Sequence, residues 1–316
     1  MEKVKLIWLT AAAITTGAWG QLAAQSLPQS STWPPSPEHP TIQVWPGTAP
    51  GARTDLPAEG NQTKPGDGLV AGRPVARIGN VTVPTMTLYA PRGINSGVAI
   101  LVFPGGGYHY DSIDLEGTEV CDWLSKIGVT CALLKYRVPD SGPYPKSAAA
   151  LQDAQRAMGL IRQHADEWGV DPHRVGVLGF SAGGHLGAAI SNIYEKRVYD
   201  PIDAADQLSC RPDFTVLIYP GYLAMADQNF APNPDIHPTA NTPPTFILQA
   251  EDDPAAVPEN AVTYFMELKN AKVPAELHIY AEGGHGFGLR PRDFPIMGWP
   301  RLVETWLHTI KVLPRQ

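Results

Sequence analysis

From residue 78 onward the chain alternates two kinds of hydrophobic pattern. Short unbroken apolar runs rich in β-formers fall at 98–103, 129–134, 175–180, 214–219, 245–249 and 277–280. An unbroken run, unlike an alternating one, is what a parallel strand covered on both faces requires. Between the runs, apolar residues recur at helical spacing. The clearest case sets Leu151, Ala154, Met158, Ile161, Ala165 and Trp168 on one stripe, predicting an amphipathic helix closed by Gly169 and Asp171-Pro172. Further helices are predicted over 117–127, 182–194, 258–269 and 299–310, and segment 81–89, interrupted by Pro84, fits an edge strand. Alternating β and α units joined by right-handed crossovers give a three-layer α/β sandwich, a mostly parallel central sheet with helices on both faces.

The N-terminal quarter breaks this rhythm. Lys3 and Lys5 precede an apolar stretch over 6–19 and then small residues, which reads as a secretory signal over 1–24. Cleavage after Gly20, Ala24 or Ser26 fits equally, and an uncleaved anchor is the alternative, although the stretch is shorter than the ~20 apolar residues of a membrane span. The expected location is therefore secreted or periplasmic, with no membrane association after cleavage. Residues 25–72 are dense in Pro, Gly, Ser and Thr and read as an extended arm, in which residues 42–47 form a short strand with Trp45 packed on the body. Segment 221–241, carrying Pro232, Pro234 and Pro238, is long enough for a small lid or rim and too short for a large cap domain.

Composition narrows the class. The 316 residues are 43% hydrophobic and 17% charged, the balance of a folded globular chain. With 24 Lys+Arg against 31 Asp+Glu the net charge is −7, and loss of the leader removes Lys3, Lys5 and Glu2, so a nucleic-acid partner is not expected. The cysteines, Cys121, Cys131 and Cys210, have no CxxC spacing and no HExxH accompanies them, so neither a metal nor any cofactor is expected. Export permits a disulfide, but buried small residues on a helix and a strand are the favoured reading.

The candidate chemistry sits at the ends of predicted strands. Gly179-Phe180-Ser181-Ala182-Gly183 is G-x-S-x-G between a strand and a helix, a turn so tight that side chains at either glycine would collide with it. It holds the Ser181 hydroxyl at a helix N-terminus, where N–H groups favour an anion. A serine needs a base, and the base an orienting acid. His285, in Glu282-Gly283-Gly284-His285-Gly286-Phe287, follows a strand in a glycine-flanked loop, and Asp252-Asp253-Pro254 follows another. Asp253 is chosen over Asp252 because the acid of the common G-x-x-D-P pattern directly precedes proline. His185, one turn into the helix after Ser181, reads as a packed residue. Pro104-Gly105-Gly106-Gly107-Tyr108 follows a further strand, and Gly106 and Gly107, with Ala182, are candidate backbone donors to an oxyanion. Tyr108, His109, Tyr110 and Phe287 are expected to line the substrate cleft by their positions next to these motifs.

PGGGY, GFSAGGHLG, QAEDDP and EGGHGFGLR together resemble the exported α/β-hydrolase esterases grouped with acetyl xylan esterases and hormone-sensitive-lipase-like carboxylesterases, over about residues 42–312. The resemblance implies an α/β-hydrolase fold over 73–316 and a carboxylic ester hydrolase, often a deacetylase of plant polysaccharides. It also implies Ser181 as nucleophile, His285 as general acid/base, Asp253 as its partner, and Gly106, Gly107 and Ala182 as oxyanion donors. Pro104 departs from the lipase-type HGGG motif, which has histidine there, and the stretch 253–258 is one residue longer than usual. The expected substrate is a small-molecule or oligosaccharide ester such as acetylated xylan. A general short-chain carboxylesterase, a serine peptidase and a non-catalytic carbohydrate-binding protein on the same fold are the competing readings, and oligomeric state stays open.

Overall fold

The computed structural model describes residues 37–314. The signal peptide expected over 1–24 and the first part of the arm lie outside the described residues. Thirteen strands follow in chain order: β1 (Thr41–Gln43), β2 (Gly60–Asn61), β3 (Arg77–Gly79), β4 (Thr85–Tyr89), β5 (Ala99–Phe103), β6 (Tyr110–Ser112), β7 (Thr130–Lys135), β8 (Val175–Phe180), β9 (Thr215–Ile218), β10 (Ala224–Met225), β11 (Ala231–Pro232), β12 (Thr245–Ala250) and β13 (Ala275–Tyr280). The helices are α1 (Glu119–Lys126), α2 (Ala148–Gln163), α3 (Ala182–Asn192), α4 (Glu259–Asn270) and α5 (Trp299–Thr309). No helix among the described residues is long and apolar enough to cross a membrane.

Eight strands form the central sheet in the order β1-β4-β7-β5-β8-β9-β12-β13. From β7 to β13 every neighbour is parallel, whereas β4 runs antiparallel to both β1 and β7. Five of the six apolar runs occupy the middle, every residue of β5, β7, β8, β9 and β12 being buried, whereas the run at 277–280 falls in β13 at the edge of the sheet, where no residue is buried. Right-handed crossovers then place α2, α3 and α4 on one face and α1 on the other. Across the first face the Asn192 amide donates to the Tyr264 hydroxyl at 2.8 Å, and on the second Trp123 meets Trp299 of α5 edge to face at 5.2 Å.

The predicted edge strand at 81–89 is corrected. Pro84 stays outside β4, with its carbonyl accepting the Val44 N–H at 3.1 Å, and β1 from the arm pairs along the flank of β4 that would otherwise lie open. Helix α2 ends at Gln163 and not near Trp168, because the last turn unwinds before Gly169. Cys121 and Cys131 form a disulfide from α1 to β7, while Cys210 is free and buried. The favoured reading of unpaired cysteines thus holds for Cys210 alone.

The described part of the arm is built into the body. Trp45 is 3% exposed, and its indole N–H donates to Asp153 Oδ1 of α2 at 2.7 Å. Arg137, just past β7, binds the same carboxylate through its backbone N–H and Nε and also donates to the carbonyls of Pro50 and Ala149. Its guanidinium lies over the Trp45 ring at 5.7 Å, with that of Arg156 at 5.8 Å. Asp153 is fully buried, a placement tolerable only because cation, indole and backbone donors surround it. Trp45→Ala removes a buried ring and one of those donors, and is expected to lower unfolding free energy in denaturant by about 3–5 kcal/mol.

Candidate active site

Every candidate group lies past the carboxyl end of a parallel strand. β5 is the pivot of the sheet: β7, the next strand of the sheet in sequence, pairs on one side of it, and β8 returns to the other. Such a reversal opens a crevice beyond the strand ends. The glycine loop after β5 and the turn after β8 face each other there, tied by the Phe103–Gly179 register.

At that turn Ser181 has φ 53° and ψ −117°, a conformation few non-glycine residues hold. It is enforced by crowding. A Cβ at Gly179 would sit 2.0 Å from the Gly183 carbonyl oxygen, and one at Gly183 only 2.2 Å from that of Phe103. With glycine at both places α3 starts directly against β5 and β8, and the Ser181 hydroxyl stands over the end of the sheet.

Ser181 Oγ lies 2.9 Å from His285 Nε2, and His285 Nδ1 lies 2.7 Å from Asp253 Oδ2. Asp253 is 2% exposed; its Oδ1 accepts the Ala255 and Ala256 N–H groups at 2.8 and 2.9 Å, and Gln249 Nε2 reaches its Oδ2 at 3.3 Å. An acceptor so held keeps one oxygen aimed at the imidazole and fixes the tautomer with the proton on Nδ1. Asp252 is exposed and points elsewhere, its Oδ1 accepting the Gly284 N–H at 2.7 Å. It is more than a solvated turn carboxylate, for it fastens the loop that carries His285.

The glycine loop completes the crevice. Gly106 adopts φ 137°, and a Cβ there would fall 1.9 Å from the Tyr110 carbonyl oxygen. The N–H groups of Gly106 and Gly107 have no acceptor among the described residues. Ala182 is the first residue of α3, where backbone N–H groups lack intrahelical partners.

Around these groups opens a cleft of about 730 Å³. His109 and Tyr110 line it, as expected. Tyr108 and Phe287 do not, and that expectation is corrected: both are fully buried. Tyr108 turns inward at φ 63° and shares a 2.7 Å hydrogen bond with His185 Nδ1, and Phe287 packs edge to face on Tyr219 at 4.6 Å. Burial drives the His185 pKa down to about 3, so it stays a neutral packed residue. The walls come instead from Gly68 and Leu69 of the arm, from Val75 and Arg77 just after it, and from Tyr222, Ala224 and Val257. Segment 221–241, whose hairpin β10–β11 is two residues deep per strand, forms a rim.

Several supporting residues escaped the sequence. The Tyr219 ring lies tilted against the His285 ring at 4.9 Å, Glu116 bonds to Gly105 and Tyr219, and Arg290, buried at 1% exposure, ties the chain after His285 to Asp114 and Glu119. Each is a polar group whose partner lies far along the chain, so no local spacing marks it. Among the described residues no cluster of three or more His, Cys, Asp or Glu side chains could hold a metal ion.

Residues 100–236 match the family model described as the α/β hydrolase fold. The crystal structure of an acetyl ester-xyloside bifunctional hydrolase from Caldicellulosiruptor lactoaceticus is 31% identical, the match covering 87% of this chain and 97% of that one with a TM-score of 0.66. The chain belongs to the α/β-hydrolase family. This α/β-hydrolase is also 32% identical over 216 residues to an acetylxylan esterase of Xylanibacter ruminicola and 28% identical over 217 residues to endo-1,4-beta-xylanase B of Butyrivibrio fibrisolvens. Those matches take in 61% and 63% of this α/β-hydrolase but 42% and 34% of the relatives, so it spans less than half the length of either.

The two adjacent carboxylates of the α/β-hydrolase separate cleanly by experiment. Asp253→Asn is expected to lower kcat/KM on a nitrophenyl ester by roughly 10⁴, because an amide leaves His285 in the wrong tautomer. Asp252→Asn keeps an oxygen for the Gly284 N–H and is expected to stay within about tenfold of the parent.

Proposed function

We propose that this protein is a serine carboxylic ester hydrolase acting on short acyl groups, chiefly acetyl, carried by carbohydrate such as acetylated xylan. The observation that carries the reading is the unbroken hydrogen-bond chain from Asp253 through His285 to Ser181, at 2.7 and 2.9 Å, beside backbone N–H groups without acceptors. In this scheme Ser181 Oγ attacks the ester carbonyl carbon while His285 Nε2 takes its proton. Negative charge collects on the former carbonyl oxygen, which the N–H groups of Gly106, Gly107 and Ala182 receive without having to reorient. Collapse of the tetrahedral intermediate breaks the bond to the alcohol oxygen, which leaves with the proton from His285. The acyl group stays on Ser181 until water, deprotonated by the same imidazole, releases it as the acid.

The substrate part of the proposal rests on the cleft and on the relatives. Small residues, Gly221, Ala224, Ala255 and Ala256, line it together with polar edges from His109, Tyr110, Arg77 and Asn260, and its larger apolar side chains, among them Leu69, Val75 and Val257, come from separate segments of the chain. A long acyl chain needs an extended apolar wall, and each methylene without one forgoes about 0.8 kcal/mol of burial. The named relatives include an acetylxylan esterase and an acetyl ester-xyloside hydrolase. The leader expected over 1–24 suits an enzyme exported to meet polysaccharide fragments.

Two measurements test the proposal. Ser181→Ala is expected to leave the unfolding transition in place and to lower kcat by 10⁴–10⁶ or so on 4-nitrophenyl acetate; activity within tenfold of the parent would remove Ser181 from the mechanism. Across acetate, butyrate and octanoate esters kcat/KM is expected to fall with chain length, with acetate released from acetylated xylan oligosaccharides. A preference for octanoate without acetate release would instead mark a general carboxylesterase.

A further inference from the structure

The glycine loop after β5 poses a problem that its own sequence does not solve. Pro104 stands where the lipase-type HGGG motif has a histidine, and proline has no N–H with which to hold the turn. Yet Gly106 and Gly107 present their N–H groups to the cleft only if the peptide groups before them are fixed. Two of the contacts that fix them are ordinary: the Pro104 carbonyl accepts the Tyr136 hydroxyl at 2.7 Å, and the Gly105 carbonyl accepts the Ser112 N–H at 2.9 Å. The third is not. The Gly105 N–H donates at 2.7 Å to Oε2 of Glu116, a side chain from the turn that leads into α1.

Glu116 is an unusual group to find there. It is 3% exposed, it alone among the described residues lining the cleft carries a carboxyl group, and no Lys or Arg pairs with it. Arg290, the nearby buried cation, is engaged by Asp114 and Glu119 instead. Burial pushes the Glu116 pKa up, opposed by His285 and by the two donors it accepts. A buried carboxyl without a cation is costly, and packing alone would be served by an apolar side chain. Its second oxygen, Oε1, accepts the Tyr219 hydroxyl at 2.8 Å; that hydroxyl in turn receives the Gly288 N–H at 3.3 Å, and the Tyr219 ring lies 4.9 Å from that of His285. One carboxyl therefore grips the oxyanion loop with one oxygen and the support of the histidine loop with the other.

We infer that Glu116 is the positioning residue that sets the Gly106 and Gly107 N–H groups against the Ser181–His285 pair. The inference rests on the esterase reading above. It makes Glu116 act through Gly105 and Tyr219 and not on the substrate, so its loss weakens stabilisation of the oxyanion more than ground-state binding.

The test uses the full chain with 4-nitrophenyl acetate, reading kcat, KM and the unfolding transition for the parent, Ser181→Ala, Glu116→Met, Glu116→Gln and Glu116→Asp. Methionine fills the space and accepts no hydrogen bond; glutamine keeps an oxygen for the Gly105 N–H; aspartate keeps the charge but is one methylene short of spanning both partners. The expected result is a kcat lowered roughly 10- to 100-fold in Glu116→Met with KM within about threefold, and a kcat within about fivefold of the parent in Glu116→Gln. Should Glu116→Met not fold, a lower kcat in Glu116→Asp than in Glu116→Gln carries the same conclusion. A kcat in Glu116→Met within threefold of the parent overturns the inference, as does a Glu116→Gln enzyme no better than Glu116→Asp. An inactive parent, or a Ser181→Ala variant as active as the parent, would sink the esterase reading itself, and those two outcomes depend on no Glu116 variant.

Discussion

The close approach of three backbone segments at the carboxyl ends of β5 and β8 is the constraint on which the site depends. The strand ends, the start of α3 and the glycine loop lie so near one another that a Cβ at Gly179, Gly183 or Gly105 would fall 2.0–2.8 Å from a neighbouring atom. That crowding forces Ser181 to φ 53°, a conformation it would not adopt in a free peptide. The same crowding puts the N-terminus of α3 and the Gly106 and Gly107 N–H groups around one point. The Ser181 turn and the placement of the Gly106 and Gly107 N–H groups are thus one structural decision, made by backbone packing, and His285 and Asp253 are brought to it by longer loops.

Those loops are held by polar contacts that reach across the molecule. The His285 loop is fastened at Gly284 by Asp252, at Gly288 by Tyr219 and by the Trp299 indole, and beyond it at Arg290 by Asp114 and Glu119. An imidazole that must meet Ser181 at 2.9 Å and Asp253 at 2.7 Å leaves its loop little freedom, so a glycine-rich segment suited to bending around the site also has to be tied at both ends. Buried ion pairs are poor sources of net stability, but they fix geometry, and here those of Arg290 hold the chain that leaves the His285 loop.

The parts legible in the sequence are those whose signal is local. Unbroken apolar runs marked the buried parallel strands, and G-x-S-x-G between strand and helix marked the elbow, because both requirements act over a few neighbouring residues. The hidden parts act across the fold. Nothing near 81–89 reveals that β1, forty residues earlier in the chain, covers that strand; the antiparallel pairing of Thr41 with Thr87 is a tertiary fact. Adjacency to a motif also misled: Tyr108 and Phe287 sit beside PGGG and GGH, yet the left-handed turn at Tyr108 and the packing of Phe287 under Tyr219 send both side chains into the core. Position along the chain named the loop correctly but not which way its side chains face.

The cleft wall and the groups of the candidate site come from different parts of the chain. β3 pairs with β6, the three residues after the glycine loop, and so lays the segment before it along the cleft. Arg77 from β3 lies over the Tyr110 ring at 5.5 Å and is paired with Asp67, so the two side chains share the cleft wall near Gly106 and Gly107. The groups of the candidate site therefore project from the ends of the parallel sheet, while part of the cleft wall comes from residues 68–77 outside its parallel strands. A segment of that kind tolerates insertion and exchange far better than strand ends do. On this architecture the shape of the cleft wall can change through residues 68–77 without moving Ser181, His285 or Asp253, since that segment meets the candidate site only through the wall and the β3–β6 pairing.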